Sequence, residues 1–553
     1  MKKIFILIFL FFAVSYSLFA QDLYEERLNK GLRNADDVSY YLIEKAHNDP
    51  ANIQEYLAEA VKLSPDLPAV YFHLAWVSLT TSPANLYESA HYLLGGFHAY
   101  KKNFWWIFNL TGIAYLGFLL TLVCSVLFAV LVRLSLDVPL LTHEIREDGK
   151  SFFILLLAFF ISALGPLYFI AAMLMILSFY FKKGDRLLTY VFLGALVFLP
   201  LFLKPVNVFL SAGTSPELKA IVAVNEGEDN AYALYALRGK EGRDELFSLA
   251  LAQKREGRYN EAIENYRKIL DRHPDDAAAY NNLGNCYAIL KSYDEAKGAY
   301  EKSLKIRPLA SANYNMSQVS REMLDFEAGD RYFDEAKRID SDAVAGYRQG
   351  SSAEPNRLYA DELLGMADFW RYALGVPGEH VISLTYLPLW STPVIGLVVL
   401  VSFVIFSRKR KVRAFSCKRC GVVICARCER SLKWGSMCND CFSALVTLEK
   451  DPRDRIAKVM TVYDAKRRKK NIIRFLSFVM PGLHLVYTGK IVKGTVLMFL
   501  FLLFPVVFLL SIAYQYSIYP YAHSWLAFAL VVSVPTLYFM NIIATRRFLK
   551  EWV

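Results

Sequence analysis

The chain is poor in the features of a stapled, fibrous or disordered protein. Of its 553 residues, 8 are cysteine, 28 glycine and 20 proline. So little glycine excludes a collagen-like fibre, and 55% apolar residues exclude disorder over most of the length. The cysteines are too unevenly placed for a disulfide framework, because six of the eight lie between Cys417 and Cys441. Catalytic signatures are missing as well. There is no Walker loop, no G-x-G-x-x-G after a strand and no G-x-S-x-G. His143-Glu144 opens a zincin motif, but Glu147 stands where its second histidine belongs. With no catalytic constellation, an enzyme is not expected.

What is present is a mosaic of apolar blocks and polar domains. A mean hydropathy of +0.27 is too high for an ordinary soluble enzyme, while 21% charged residues is too many for a protein buried throughout in lipid. The apolar blocks are 103–134, 151–181, 187–205, 386–406, 494–514 and 524–545. Each reaches or approaches the ~20 residues that cross a ~30 Å hydrocarbon core as a helix, and none has a polar face. At the start, Lys2 and Lys3 precede an apolar stretch from Ile4 to Val14, and Ala20 suits the end of a secretory signal over residues 1–20. Residues 21–102 are then expected outside the cytoplasm.

Counting each block as one crossing puts Ser407-Arg408-Lys409-Arg410-Lys411 outside, against the positive-inside rule. The region 103–205 offers the remedy. Gly165-Pro166 splits the block 151–181, because proline removes a helix hydrogen bond and favours a turn before it. A hairpin or re-entrant loop there returns the chain to the cytoplasm, sends 206–385 outside and brings the basic run inside. A bacterial-type inner membrane fits this arrangement. Charged residues are nearly absent from the spans, which counts against transport.

The segment 213–349 contains repetition near 34 residues. Its first unit carries Leu249, Ala250, Ala262, Tyr266 and Pro274; its second carries Tyr280, Leu283, Gly284, Tyr287, Ala296, Tyr300 and Pro308. A third unit has Tyr314, Met316, Ala328, Tyr332 and Ala336. Small residues let two helices approach closely and aromatics fill the gap to the next pair, so the units stack into a solenoid. These residues resemble the tetratricopeptide-repeat family. The resemblance implies a mainly α chain with a helical-repeat solenoid whose concave groove takes a protein or peptide partner. Residues 21–102, with Ser64-Pro65-Asp66 between two apolar-periodic runs and Ala75 in the second, look like a diverged unit of the same family. Cys286, inside a repeat helix, reads as a small buried residue. Residues 350–385 read as a connector broken by Pro355, Gly375 and Pro377-Gly378.

The region 408–450 holds Cys417-x2-Cys420-x4-Cys425-x2-Cys428-x9-Cys438-x2-Cys441. Each C-x2-C turn points two thiolates at one metal, and two turns complete a four-cysteine zinc site. A site closed by four thiolates has no position for a catalytic water, so the zinc is structural. The sequence resembles zinc-ribbon and cross-brace modules. Cross-brace order implies that Cys417, Cys420, Cys438 and Cys441 close one site, with Cys425 and Cys428 a partial second; the alternative pairs the first two turns. One zinc is expected.

Residues 408–470 hold 19 Lys/Arg and 6 Asp/Glu, so the chain's net charge of +11 belongs to this module. Anionic lipid headgroups are the expected partner of the basic flanks, and nucleic acid is not favoured. Pro481, Gly482, Tyr487, Gly489 and Gly494 resemble the signature of small TM2-type membrane hairpins. In that resemblance 466–553 is an interfacial helix, including 471–489, followed by a membrane hairpin. The sequence therefore suggests a membrane-anchored repeat scaffold for protein–protein interaction, or else a subunit of a membrane transport or envelope-biogenesis machine.

Overall fold

The computed structural model describes residues 24–81, 85–147, 152–228, 231–350, 354–377, 386–409, 414–425, 437–448, 451–514 and 523–551. The expected signal segment, Cys428 and the basic residues 410–413 lie outside them. The described chain is mainly α-helical, and its one sheet is a two-stranded hairpin. The molecule divides into two compact units. One holds residues up to Asn109 together with Val208–Glu379; the other holds Leu110–Asn207 with His380–Val553. The N-terminal helical region and the repeat array thus belong to one unit.

In the first unit, Asp36–Asn48 and Ile53–Leu63 form a helical hairpin, and Pro68–Thr81 and Leu86–Tyr100 form a second. Pro68 opens its helix where the absent N–H costs nothing. Ala75 is buried, and Ser89 Oγ donates to its carbonyl at 2.8 Å. Three repeat pairs follow a lead-in made of Pro216–Glu226 and Ala231–Leu237. They are Arg243–Arg255 with Tyr259–Arg272, Ala277–Ile289 with Tyr293–Ile306, and Ala310–Glu322 with Phe326–Ile339. The turn inside each pair uses one left-handed residue, at Gly257, Lys291 and Leu324, with φ of 78°, 61° and 64°. Asp276 and Asp325 cap helices by accepting from Ala279 N and Ala328 N, each at 3.0 Å.

The expected signature residues make the core. Ala250, Ala262, Tyr266, Ala296 and Tyr300 are buried completely, Leu249 and Leu283 nearly so. Each such tyrosine contributes about 1.5–3 kcal/mol by leaving water. Gly284 lies so close to Tyr300 that a Cβ there would sit 2.5 Å from Cε1. Tyr280 and Tyr287 are half-buried, and Pro274 and Pro308 are exposed at the junctions between pairs.

Phe104–Glu147 is a 44-residue helix that belongs to the second unit from Leu110 onward. At 1.5 Å per residue it is roughly twice the length of a hydrocarbon core. Phe152–Ser162 and Pro166–Ser178 pack against each other, and the break falls at Gly165-Pro166, where Gly165 has φ of 138°. The expected span 187–205 is not straight: Leu187–Val197 and Leu199–Thr214 meet at 62°. Among the described residues, Phe104–Arg146, Leu389–Arg408 and Ile491–Ile512 are long and apolar enough to cross a membrane. Gly396 permits close approach to the backbone of Val197, since a Cβ on it would lie 3.0 Å from that residue's nitrogen.

The helix expected over 471–489 is divided. Pro452–Val479 ends before a turn at Met480–Gly482, and Leu483–Tyr487 is a separate short helix. Gly482 has φ of 95°, and a Cβ on it would collide with Gly494 O, so both glycines are demanded by one close contact. Gly489 turns the chain with φ of 81°, and Tyr487 is half-buried. Ile491–Tyr514 then packs on His523–Glu551 as a hairpin.

Candidate peptide groove and metal centre

The face of the repeat array made by the first helix of each pair is filled by the chain itself. Residues 359–365, expected to be mere connector, run extended across the first helices of the repeats. Backbone N–H groups of alternate residues are read by asparagine side chains. Ala360 N donates to Asn315 Oδ1 at 2.7 Å, Glu362 N to Asn282 Oδ1 at 2.8 Å, and Leu364 N to Asn225 Oδ1 at 2.8 Å. Two of these asparagines also return a donor to the same residue: Asn315 Nδ2 to Ala360 O at 2.8 Å, and Asn282 Nδ2 to Glu362 O at 2.9 Å. Asn281 and Asn285 add donors to Ala360 O, each at 3.0 Å. A carboxamide offers one donor and one acceptor side by side, so it pairs with a peptide group much as a neighbouring β-strand does.

Position along the array sets the order. Asn281 and Asn315 stand 34 residues apart at equivalent points of successive repeats, and Asn315 Nδ2 donates to Asn281 Oδ1 at 3.0 Å. The strand passes from the third repeat over the second to the lead-in helix. Its side chains are read as well. Lys254 Nζ lies 2.8 Å from both oxygens of Asp361. Ser311 Oγ donates to Glu362 Oε1 at 2.6 Å, with Arg307 3.7 Å from the other oxygen. Tyr359 packs with Ala288, Tyr300 and Met316, and Ala360 with Tyr314 and Val344.

The strand is tied at both ends. Arg357 reaches Glu25 at 3.1 Å and Asn29 at 3.0 Å. After the strand, Met366–Gly375 is a helix whose Arg371 pairs with Asp244 at 3.2 Å and whose Phe369 and Trp370 pack on Phe104, with ring centroids 5.5 Å apart. Sequence reasoning passed over these asparagines. Their signal was their presence on helices otherwise filled by alanine and aromatics, since asparagine is a poor helix former and a buried carboxamide needs partners. Cys286 beside them is a buried thiol, its pKa pushed up to about 12 by that burial, which fits a core residue and not a nucleophile.

A second cluster is built around the β-hairpin. β1, Ala414–Ser416, pairs antiparallel with β2, Val423–Cys425. The turn between them is the first C-x2-C, closed by Cys417 N donating to Val422 O at 2.8 Å, with Gly421 at φ of 82°. Cys438 stands at the N-cap of Asn439–Leu445, and Cys441 is in its first turn. The sulfurs of Cys417, Cys420, Cys438 and Cys441 all lie within 4.8 Å of one another, and none of the four is in a disulfide. Cys420 Sγ and Cys438 Sγ are 3.6 Å apart. Tetrahedral zinc with ~2.3 Å Zn–S bonds separates its sulfurs by about 3.8 Å, so the four thiols fit such an ion. Cys425 is not among them: it pairs across the hairpin with Ala414 and is buried beside Leu140.

Residues 247–311 match the family model for the tetratricopeptide repeat, spanning the first repeat pair, the second and the start of the third. A comparison with curated proteins gives no match.

Proposed function

We propose that this chain is a membrane-anchored repeat scaffold that mediates protein–protein interaction outside the cytoplasm and carries a structural zinc module inside. The observation that carries this reading is the asparagine ladder: a repeat groove furnished to read extended polypeptide backbone. Among the described residues, three apolar helices of crossing length support the anchor. The basic excess of 408–470 supports a cytoplasmic module lying against anionic headgroups. The four thiols would hold zinc and fix the fold of a small contact surface; no catalytic role is assigned. Reporter fusions at residues 60, 300 and 430 test the arrangement, with 60 and 300 expected outside and 430 inside. A cytoplasmic 300 would sink it.

A subunit of a membrane transport or envelope-biogenesis machine is the second reading. Two observations favour it. Arg133 and Asp137 form a buried pair within Phe104–Glu147, 2.8 Å from Nε to Oδ2. Asn541 Nδ2 donates to Ser477 Oγ at 2.9 Å, and Ser477 Oγ meets Thr545 Oγ1 at 2.7 Å. The first pair lies one turn apart on a single helix and the second joins Pro452–Val479 to His523–Glu551; buried polar groups beside apolar helices mark substrate paths in transporters.

A further inference from the structure

We propose that residues 359–364 are a resident ligand of the groove, and that an extended peptide with a small residue followed by two acidic ones displaces them. The inference rests on the scaffold reading and sharpens it by naming the partner's chemistry.

Most of the strand's recognition is by backbone. The N–H groups of Ala360, Glu362 and Leu364 and the carbonyls of Ala360 and Glu362 are all satisfied by asparagines. Any extended peptide presents the same groups at the same spacing of two residues. Selection falls to three side-chain positions. Ala360 must be small, because it is buried in a cluster with Tyr314 and Val344. Asp361 meets a lysine that is fully buried, and Glu362 meets Ser311 and Arg307. The strand itself, Ala-Asp-Glu, is the template for the partner.

The groove cannot stand empty cheaply. Asn281, Asn282, Asn285 and Asn315 are buried, and each loses at least one hydrogen bond if the strand departs. Exchange of one backbone for another keeps them satisfied throughout. A cavity of about 800 Å³ runs beside the strand, lined among others by Asn34, Arg255, Tyr359, Asp361 and Leu364. It gives an incoming peptide room to engage before the resident strand has left. Because the strand is tethered, its effective concentration is in the millimolar range, so the partner must bind well or the strand must first be loosened.

The test uses the full-length protein in detergent and a fluorescein-labelled peptide with the sequence of residues 356–366, read by anisotropy. Asp361→Lys sets a lysine against Lys254 and should free the groove. The variant is expected to bind the peptide at least tenfold more tightly than wild type. Lys254→Glu combined with Asp361→Lys restores an ion pair, and the gain should disappear. A folded Asp361→Lys variant with no gain in peptide binding would overturn the proposal and make the strand a fixed part of the fold. Should circular dichroism show that this variant has lost its helices, wild type carrying protease sites in 351–353 and 381–385 is cut instead. The freed fragment must then exchange for labelled peptide; retention of it against a large excess of peptide overturns the proposal equally. Failure here leaves the outer face of the array able to bind, so the scaffold reading is judged separately by the fusions and not by this probe.

Discussion

Lys254 and Asp361, 107 residues apart, are joined by two 2.8 Å contacts, and the lysine is 0% exposed while its partner is 12% exposed. Burial makes each charge dependent on the other. Lys254→Met should destabilise the unit by about 3–5 kcal/mol, because it strands a carboxylate in a poorly hydrated site. Lys254→Met with Asp361→Leu should recover most of that loss. Denaturant melts of the four proteins in the cycle decide it, and full additivity of the single losses would show that the two groups do not interact.

Gly284→Ala should cost about 1–3 kcal/mol by overpacking against Tyr300, where the added methyl would lie 2.5 Å from the ring. Gly298→Ala, on the neighbouring helix with nothing within 4 Å of the added carbon, should be neutral or stabilising. Thermal melts showing equal effects would contradict the packing assigned to the second repeat.

Leu324 occupies the left-handed turn position that glycine holds in the first repeat, and its side chain is exposed. Leu324→Gly should therefore stabilise the third repeat by up to about 1 kcal/mol, relief of the αL cost outweighing the entropy of glycine. A lower melting point in the variant would refute this.

Acidity should stabilise the repeat-bearing unit between about pH 8 and 6.5. Burial raises Glu226 to about 8 and Asp36 to about 6, and the neighbouring Glu228 is raised as well, with Asp36 and Asp66 adding repulsion. A carboxyl raised on folding holds its proton in the native state, so its stabilisation is lost as pH climbs through its folded value. Below pH 6.5 the effect is opposed by His73, which burial lowers to about 4. Glu226→Gln should remove a slope of at most about 1.4 kcal/mol per pH unit in that window. An unchanged pH profile of melting in the variant would contradict the burial of Glu226.

Metal analysis of the purified protein should give one zinc per chain. Serine at Cys417, Cys420, Cys438 or Cys441 should abolish it, and Cys425→Ser should leave it intact. Loss of metal from Cys425→Ser would return the alternative pairing of the first two C-x2-C turns.

Sequence made some of this legible and not the rest, for physical reasons. Gly284, Ala296 and Tyr300 announced a repeat because close helix packing restricts those positions to few residue types. Gly165-Pro166 announced a break because both residues act on their own backbone. The pairing of Cys417 and Cys420 with Cys438 and Cys441 came from resemblance, since spacing alone permits either arrangement. The bend at Phe198 and the break at Met480–Gly482 escaped, as apolar composition is blind to helix direction. The strand at 359–364 escaped for a deeper reason. The asparagines that hold its backbone lie 45 to 139 residues away, and a main chain is the same whatever its sequence.

Hydrogen exchange across residues 357–365 of the wild-type protein tests most directly whether the chain fills its own groove. The amides of Ala360, Glu362 and Leu364 should exchange as slowly as those inside Ala277–Ile289, and Asn282→Ala with Asn315→Ala should release those of Ala360 and Glu362. Exchange of 359–364 at the rate of an unstructured connector in the wild type would contradict the account.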